Sequence, residues 1–374
     1  MTTEIPGTEI LGMVGTKDAS EIRGSYTEGA AVDADYLTRF ARAHEEAGFD
    51  RVLIGYSASS PDGFAVASHV LNATTRLKVL IAHRPGFVQP TVVARKLATI
   101  DQLTGGGRVA IHHITGGSDG DQRRDGDWED HDTRYLRTAE FIQVLRQSLT
   151  ATAPFDHSGR FYRYEKAFST VKPATEAGIP IYFGGQSEAA VQVGAENTDV
   201  YMLFGEPLEQ TAERIDILRR AAARFDRTLS FSLSTRPIVA DTEDAAWAKA
   251  EAIRAATAQR LAAAQGLYGK NSPFISGENS SVGDRRLRET AARKEVHDER
   301  LWFGITALTG QGGNSSAHVG TPAQVADALR QYHDIGVDRF LIRGFEPLED
   351  VQLWGQALIP ELRARLAERV PADV

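Results

Sequence analysis

The chain has 374 residues, 42% of them hydrophobic and 25% charged, with 34 glycines and a formal net charge of -8. Such a composition is globular and fills a large core, and the acidic balance argues against nucleic acid as the main partner. No cysteine is present, which excludes disulfides, thiolate metal sites, iron–sulfur clusters and cysteine nucleophiles together.

The opening MTTEIPGTEI has neither the basic start nor the apolar run of a signal peptide, and no later stretch has the length of a membrane span. A cytoplasmic protein with no membrane partner is the expectation. Glu9–Val14 reads as a first strand, and Asp33 or Asp35 then caps a helix that stops at Gly48. Arg51–Ile54 is a short apolar strand, Asp62–Leu71 a helix, Leu77–Ala82 a strand and Thr91–Leu103 a helix. The run RVAIHHITGGSDGDQRRDGDWEDHDTRY from Arg108 to Tyr135 follows. It begins as a β-branched strand and passes through a polar loop to a helix capped by Asp130 or Asp132.

Ser158-Gly159 between alternating aromatic residues predicts a small hairpin. Alternation then resumes with strand Ile179–Phe183, helix Glu188–Glu196, strand Val200–Leu203 and helix Leu208–Arg224. Strand Leu229–Val239, helix Glu243–Ala264, helix Pro322–Ile335, strand Arg339–Ile342 and a final helix over Leu348–Glu368 complete the pattern. Eight strand starts interleaved with helices predict a single domain over 1–374, an α/β fold of the (β/α)8 TIM-barrel type. Insertions are expected near 115–130, 151–178 and 265–300, the last read as a lid because of its Gly, Ser, Asn and Arg content. A doubly wound open sheet is the competing architecture.

Neither a G-x-G-x-x-G after a strand nor a G-x-x-x-x-G-K-[ST] is present, so no built-in dinucleotide or P-loop site is expected. His112 and His113 are strand neighbours pointing to opposite faces and cannot share one metal. No metal is expected. In IPIYFGGQSEAA a strand ends at Gly184-Gly185, and Gln186-Ser187 begin a helix whose free N–H groups suit a phosphate.

The runs IHHITGGSD through HDTRY, PFDHSGRFYR, IPIYFGGQSEAA and DVYMLFGEP resemble the flavin-dependent bacterial luciferase-like monooxygenases, in particular their alkanesulfonate monooxygenase branch. GFDRVLIGYSASSPDGF, RLKVLIAHRPGFVQPTVVARKLATIDQLTGGGR and GVDRFLIRGFEPLED extend the likeness over most of the chain in order. The resemblance implies a barrel that binds reduced FMN from a separate NAD(P)H-dependent flavin reductase and uses O2 to release sulfite and an aldehyde from a sulfonate. A homodimer or homotetramer is expected with it. It puts Ala82 and His83 beside the flavin ring, His112 at the ring edge, and Tyr135, Gln186 and Ser187 at the phosphate.

On the substrate side the resemblance implies Tyr56, Phe204, Arg236, Arg343 and Phe345, with Arg236, Arg343 and Ser60 as the catalytic set. Here the chain departs from the branch. Ser60 stands for a Cys, Ser234 and Arg236 for an Arg and a His, Phe345 for a Tyr and Phe204 for a Trp. An Arg fork at Arg236 and Arg343 suits a sulfonate or carboxylate, so a polar or sugar-like sulfonate is a candidate substrate. The rivals are another substrate class (sulfone, amine or heterocycle) on the same fold, or a flavin- or deazaflavin-binding protein without desulfonation.

Overall fold

A computed structural model describes residues 7–20, 31–115, 118–268, 281–310 and 316–367, with backbone only at 264–268. Eight strands form a closed barrel: β1 (Glu9–Val14), β2 (Arg51–Ile54), β3 (Lys78–His83), β4 (Val109–His113), β5 (Ile181–Gly184), β6 (Val200–Phe204), β7 (Ser230–Thr235) and β8 (Arg339–Ile342). Round the ring the order is β1-β8-β7-β6-β5-β4-β3-β2, so neighbours in sequence are neighbours in space. The eight expected strand starts are met to within two residues, and the open-sheet alternative is set aside.

The chain divides into two compact units, Met1–Asp50 with Leu203–Asp216 and Ser230–Val374, and Arg51–Met202 with Ile217–Leu229. In the second, β3 is buried at every position but its first, as expected of a parallel strand covered on both faces. Helices begin where short polar side chains satisfy the first free N–H groups. Asp33 accepts from the Tyr36 amide, Asp62 from Ala65 and Asp130 from Thr133, which settles both cap alternatives left open by the sequence.

A recurring aspartate fixes the start of the strands. Asp199, just before β6, receives the Ile181 amide at 2.9 Å and returns its own N–H to the Ile181 carbonyl at 2.9 Å. Arg146 and Arg227 reach its other oxygen at 2.7 and 3.1 Å. In the first unit Asp50 does the same for Ile10, at 2.7 Å, with Arg363 as the cation at 2.9 Å. Each carboxylate thus stitches two adjacent strands and one helix at the start of the strands.

Three segments differ from the sequence reading. The strand expected over Leu229–Val239 stops at Thr235, and Ile238–Val239 pairs instead with Ala317–Gly320 in a small separate sheet. Pro237 has no N–H to continue a ladder. That sheet is completed by Leu301–Trp302 and Val296–His297. The terminal helix is two helices, Pro347–Gln356 and Leu358–Ala367, because Pro360 cannot donate to the Gln356 carbonyl.

The third is the stretch 265–300. Its residues 269–280 lie outside the described residues, but Val282–Arg293 is a regular helix with Ser281 as its cap. Arg286 of that helix forms a two-pronged pair with the buried Glu206, at 2.9 and 3.1 Å, and Arg288 pairs with Asp284. The expected hairpin is present as Phe155–Ser158 and Arg163–Ala167, antiparallel. No helix among the described residues is long and apolar enough to cross a membrane.

Replacing Asp199 by alanine leaves the Ile181 amide without its carboxylate acceptor, while Arg146 and Arg227 keep the Asn197 and Thr198 carbonyls. A loss of about 1–3 kcal/mol is expected from the stranded amide alone. Asp199→Asn, which keeps an acceptor oxygen, should lose less. Urea unfolding of both variants measures the difference, and equal stability of Asp199→Ala and the parent chain would remove the stitch from the list of stabilising contacts.

Candidate active site

Parallel pairing places Ala82, His112 and Tyr182 side by side across β3, β4 and β5, and His83, His113 and Phe183 in the next row. The second row faces the helices: His83 and His113 each lie 5.2 Å from the Phe141 ring, and Phe183 lies 6.2 Å from Tyr135. Adjacent strand residues point oppositely, so Ala82, His112 and Tyr182 face the lumen near the C-terminal strand ends. That is the end at which barrels of this class carry their chemistry. The imidazole of His83 therefore does not share a face with Ala82 and His112.

His112 is held neutral. Burial pulls its pKa down to about 4, against a weaker upward pull from a hydrogen bond to the Tyr182 backbone. Its Nδ1 is buried and meets no hydrogen-bond partner among the described residues. A neutral ring with one nitrogen engaged by the protein and the other unengaged is a ready partner for a polar ligand edge.

At the end of β5, three of the expected positions meet. Ser187 caps the helix Glu188–Asn197, its hydroxyl accepting from the Ala190 amide at 3.2 Å. The Tyr135 hydroxyl also bonds the Ser187 side chain, and burial, the larger effect, raises the phenol pKa so that it stays protonated. Gly185 lies between them: a Cβ there would fall 2.5 Å from the Ala190 Cβ and 3.0 Å from the Tyr135 hydroxyl. The Gly185 carbonyl accepts from Tyr201 at 2.9 Å, which fixes the turn. Gln186 occupies the same turn, and the first amides of the helix point out of it.

The rim beside β2 and β3 carries a cluster that sequence inspection did not single out. Arg84, buried directly after β3, pairs with Asp121 and lies 3.7 Å from Asp125. Its guanidinium sits 4.8 Å from the centre of the Tyr56 ring, and the Tyr56 hydroxyl donates to Asp125 at 2.9 Å. Burial first, and that carboxylate second, push the Tyr56 phenol up to about 12. Ser60 is exposed in the following turn, its hydroxyl accepting from the Ser57 amide at 3.0 Å. The legible signal for Arg84 was its place, a cation immediately past a strand's C-terminal end.

In the other unit, Arg236 is fully buried (0% exposed). Its guanidinium lies 3.5 Å from the centre of the Phe345 ring and donates to the Gly344 carbonyl at 2.7 Å. Phe345 is itself part of a buried cluster with Trp302, Ile305 and Val319. Arg343, at the end of β8, is half-buried, and its amide donates to the Thr235 carbonyl at 3.3 Å. The two arginines are thus unequal, one an interior brace and the other partly accessible. Phe204 packs on Leu287, Leu301 and Phe303.

Residues 13–339 match the family described as Luciferase-like monooxygenase. The chain belongs to that family. Luciferase-like monooxygenases are oxidoreductases, and solved structures of similar fold agree in architecture. Riboflavin lyase with modified FMN and riboflavin superposes with a TM-score of 0.77 at 19% identity, covering 98% of this chain and 94% of that one. EDTA monooxygenase from Chelativorans sp. BNC1 gives 0.76 at 17%, covering 96% and 94%. DmoA from Hyphomicrobium sulfonivorans gives 0.75 at 22%, covering 96% and 88%. At these identities the likeness is one of fold.

Behind the lumen row, this luciferase-like chain buries an imidazole pair. The His83 and His113 rings are 5.6 Å apart and nearly perpendicular, and none of their four nitrogens has a hydrogen-bond partner among the described residues. Burial, the first cause, lowers His83 to about 3 and His113 well below the ordinary value. A histidine whose folded pKa lies below its unfolded value binds a proton more readily when unfolded. Its stability contribution is complete above the unfolded pKa, about 6.5, and is lost as pH falls toward the folded value. At pH 5, His83 alone should cost about 2 kcal/mol relative to pH 7.5. Urea titrations at the two pH values should show His83→Phe narrowing that gap, and an unchanged gap would mean that His83 does not stay neutral in the fold.

Proposed function

We propose that this chain is the oxygenase of a two-component system that uses reduced FMN and O2 to desulfonate a small organosulfonate, releasing sulfite and an aldehyde or other carbonyl product. The observation that carries the cofactor half is the turn formed by Gly185, Ser187 and Tyr135. A side chain on Gly185 would fill it, and the helix start contributes amides and a positive dipole end. The unengaged, buried Nδ1 of His112 in the lumen row is a second feature that fits a flavin. The absence of a nicotinamide-binding motif fits an enzyme that receives its flavin already reduced.

When bound, the flavin supplies the activation of O2. The protein's own residues bind and orient. Tyr135, as a protonated phenol, and Ser187, with the amides of the Gln186–Ser187 turn, hold the phosphate. Ala82, small and lumen-facing, leaves space for a flat ring, and neutral His112 meets the ring edge through Nδ1. His83 contributes its backbone, since its imidazole faces the helices. The Arg84 pairs with Asp121 and Asp125 tie the helix Asp119–Arg124 to the ends of β2 and β3 and limit water entry there.

The sulfonate assignment is supported by the resemblance to the alkanesulfonate branch and by cations at the ends of β7 and β8. Arg343 is assigned the anionic head, because a guanidinium fork suits a tetrahedral oxyanion. Arg236 positions it: the Arg236 bond to Gly344 and its stack on Phe345 fix the chain next to Arg343. Tyr56, Ser60 and Phe204 are assigned substrate-side contacts. A flavin reductase is the partner, and a homodimer or homotetramer the expected assembly.

With a flavin reductase, NADPH, FMN and O2, a panel of alkyl and polar sulfonates should yield sulfite, and omitting the reductase should abolish it. Sulfite from the purified chain with NADPH and FMN alone would overturn the two-component assignment. Turnover with a reduced deazaflavin and no O2 uptake would overturn the flavin assignment.

The cradle is tested by affinity. Ser187→Ala and Tyr135→Phe should raise the FMN dissociation constant about tenfold, some 1.4 kcal/mol, while leaving riboflavin, which lacks the phosphate, unaffected. Equal weakening of both ligands would place the phosphate elsewhere. Arg343→Met should raise the sulfonate KM by roughly 2–5 kcal/mol equivalents with FMN affinity unchanged. Arg236→Met should instead lower thermal stability. A large rise in KM for Arg236→Met with none for Arg343→Met would exchange their roles.

A further inference from the structure

On the outside of the Arg51–Met202 unit, away from the lumen row, the hairpin and the helix Pro90–Leu103 enclose a cleft of about 240 Å³. Its lining includes Phe155, Tyr164 and Phe168, and also Arg95, Lys166 and Ser148. Phe168 is 43% exposed and lines the cleft. Glu165 also lines the cleft but pairs with Arg163 at 3.4 Å, and neither Arg95 nor Lys166 has a carboxylate partner among the described residues. Lys172 adds a third cation, 5.1 Å from the Phe168 ring centre, its ammonium donating to the Ser148 carbonyl at 2.7 Å.

Two further details show that the cleft is built. Ser148 is 8% exposed, and its hydroxyl is buried without a hydrogen-bond partner among the described residues. A buried hydroxyl that lines the cleft without a partner is able to bond a polar ligand atom there. Lys166 has φ +50°, a conformation side chains rarely adopt, and the Asp156 carboxylate holds it there by accepting its amide at 2.6 Å. The Tyr164 hydroxyl is likewise fixed, donating to Gln89 at 2.5 Å.

We propose that this cleft is a binding site for a small planar aromatic carboxylate. The ring stacks among Phe155, Tyr164 and Phe168, and the carboxylate meets Arg95 and Lys166 with the Ser148 hydroxyl as a neutral donor. The volume lies below the usual range of about 300–1,000 Å³ for ligand pockets, so the occupant is a one- or two-ring molecule and not a flavin. The site is separate from the proposed cofactor turn and does not depend on that reading.

Calorimetric titration of the full chain with 2-naphthoate, with and without FMN, tests the proposal. The expected result is one saturable site whose affinity is the same in both conditions. Arg95→Glu combined with Lys166→Glu should weaken it at least tenfold, and the neutral 2-naphthamide should bind at least tenfold more weakly than the carboxylate. Both substituted positions are exposed, so the folding midpoint should not change, and Ser148→Ala offers a second variant at the buried end, expected to weaken binding severalfold. No saturable binding, binding lost when FMN is present, equal affinity for the amide, or equal affinity in the double variant would each overturn it.

Discussion

Strand register is the constraint on which the candidate site depends. In β3, β4 and β5 the residues alternate between a row packed on the helix Phe141 belongs to and a row turned into the lumen. A slip of one residue would exchange the rows, putting His83 and His113 into the lumen and burying His112 among aromatic rings. What holds the register is mass and shape on the outer face. Phe141, Phe183 and Tyr201 fill the space behind it, and Gly194 is small enough for the Tyr201 ring to press against its helix. The carboxylate of Asp199 fixes the opposite end of β5. The neutral, half-engaged His112 is a product of that packing and not of any local motif.

Arginine–carboxylate pairs do a different task at the rim. Arg134 reaches Asp119 at 2.8 Å, Arg137 pairs with Asp127, and Arg84 pairs with Asp121. All three guanidiniums are buried or nearly so, and the acidic partners lie in one polar segment. Exposed pairs contribute little to stability, but breaking a buried pair leaves a charge without compensation. A loop rich in Asp and Gly, with little apolar surface of its own, is ordered here by cations projecting from β3 and from the helix His131–Thr150. This explains how so polar a segment remains a defined part of the rim.

Much of the barrel was legible because its signals are local. Strand runs such as KVLIAH and VYMLF are short and apolar, and the caps at Asp33, Asp62 and Asp130 are adjacent to the helices they start. The turn proposed for the phosphate was legible as a turn for the same reason, since Gly184-Gly185-Gln186-Ser187 is contiguous. Its third member, Tyr135, stands about fifty residues earlier and came from resemblance, not from pattern. Arg84 was passed over because its partners are distant in sequence and its neighbour His83 drew attention. The small sheet of Ile238–Val239, Ala317–Gly320, Leu301–Trp302 and Val296–His297 was illegible, because all its strands but Ala317–Gly320 have two residues and no periodicity to read.

The arginine at 236 shows why residue type at a strand end does not decide function. From sequence, Arg236 and Arg343 were equivalent cations at neighbouring strand ends. The difference arises three residues beyond β8, where Phe345 turns into the core cluster and presents its face to the Arg236 guanidinium. A guanidinium is the cation least penalised by burial, since it is weakly hydrated and stacks on rings. Here the Gly344 carbonyl accepts one of its N–H groups, so a charge expected to seek a ligand is engaged by the chain itself. A Tyr at position 345 would offer a hydroxyl where this chain offers only a ring. Replacing it with Phe removes a competing polar group from the same volume and favours the stacked guanidinium. Phe345 and Arg236 therefore act as one coupled pair, which leaves Arg343 as the partly accessible cation of the two.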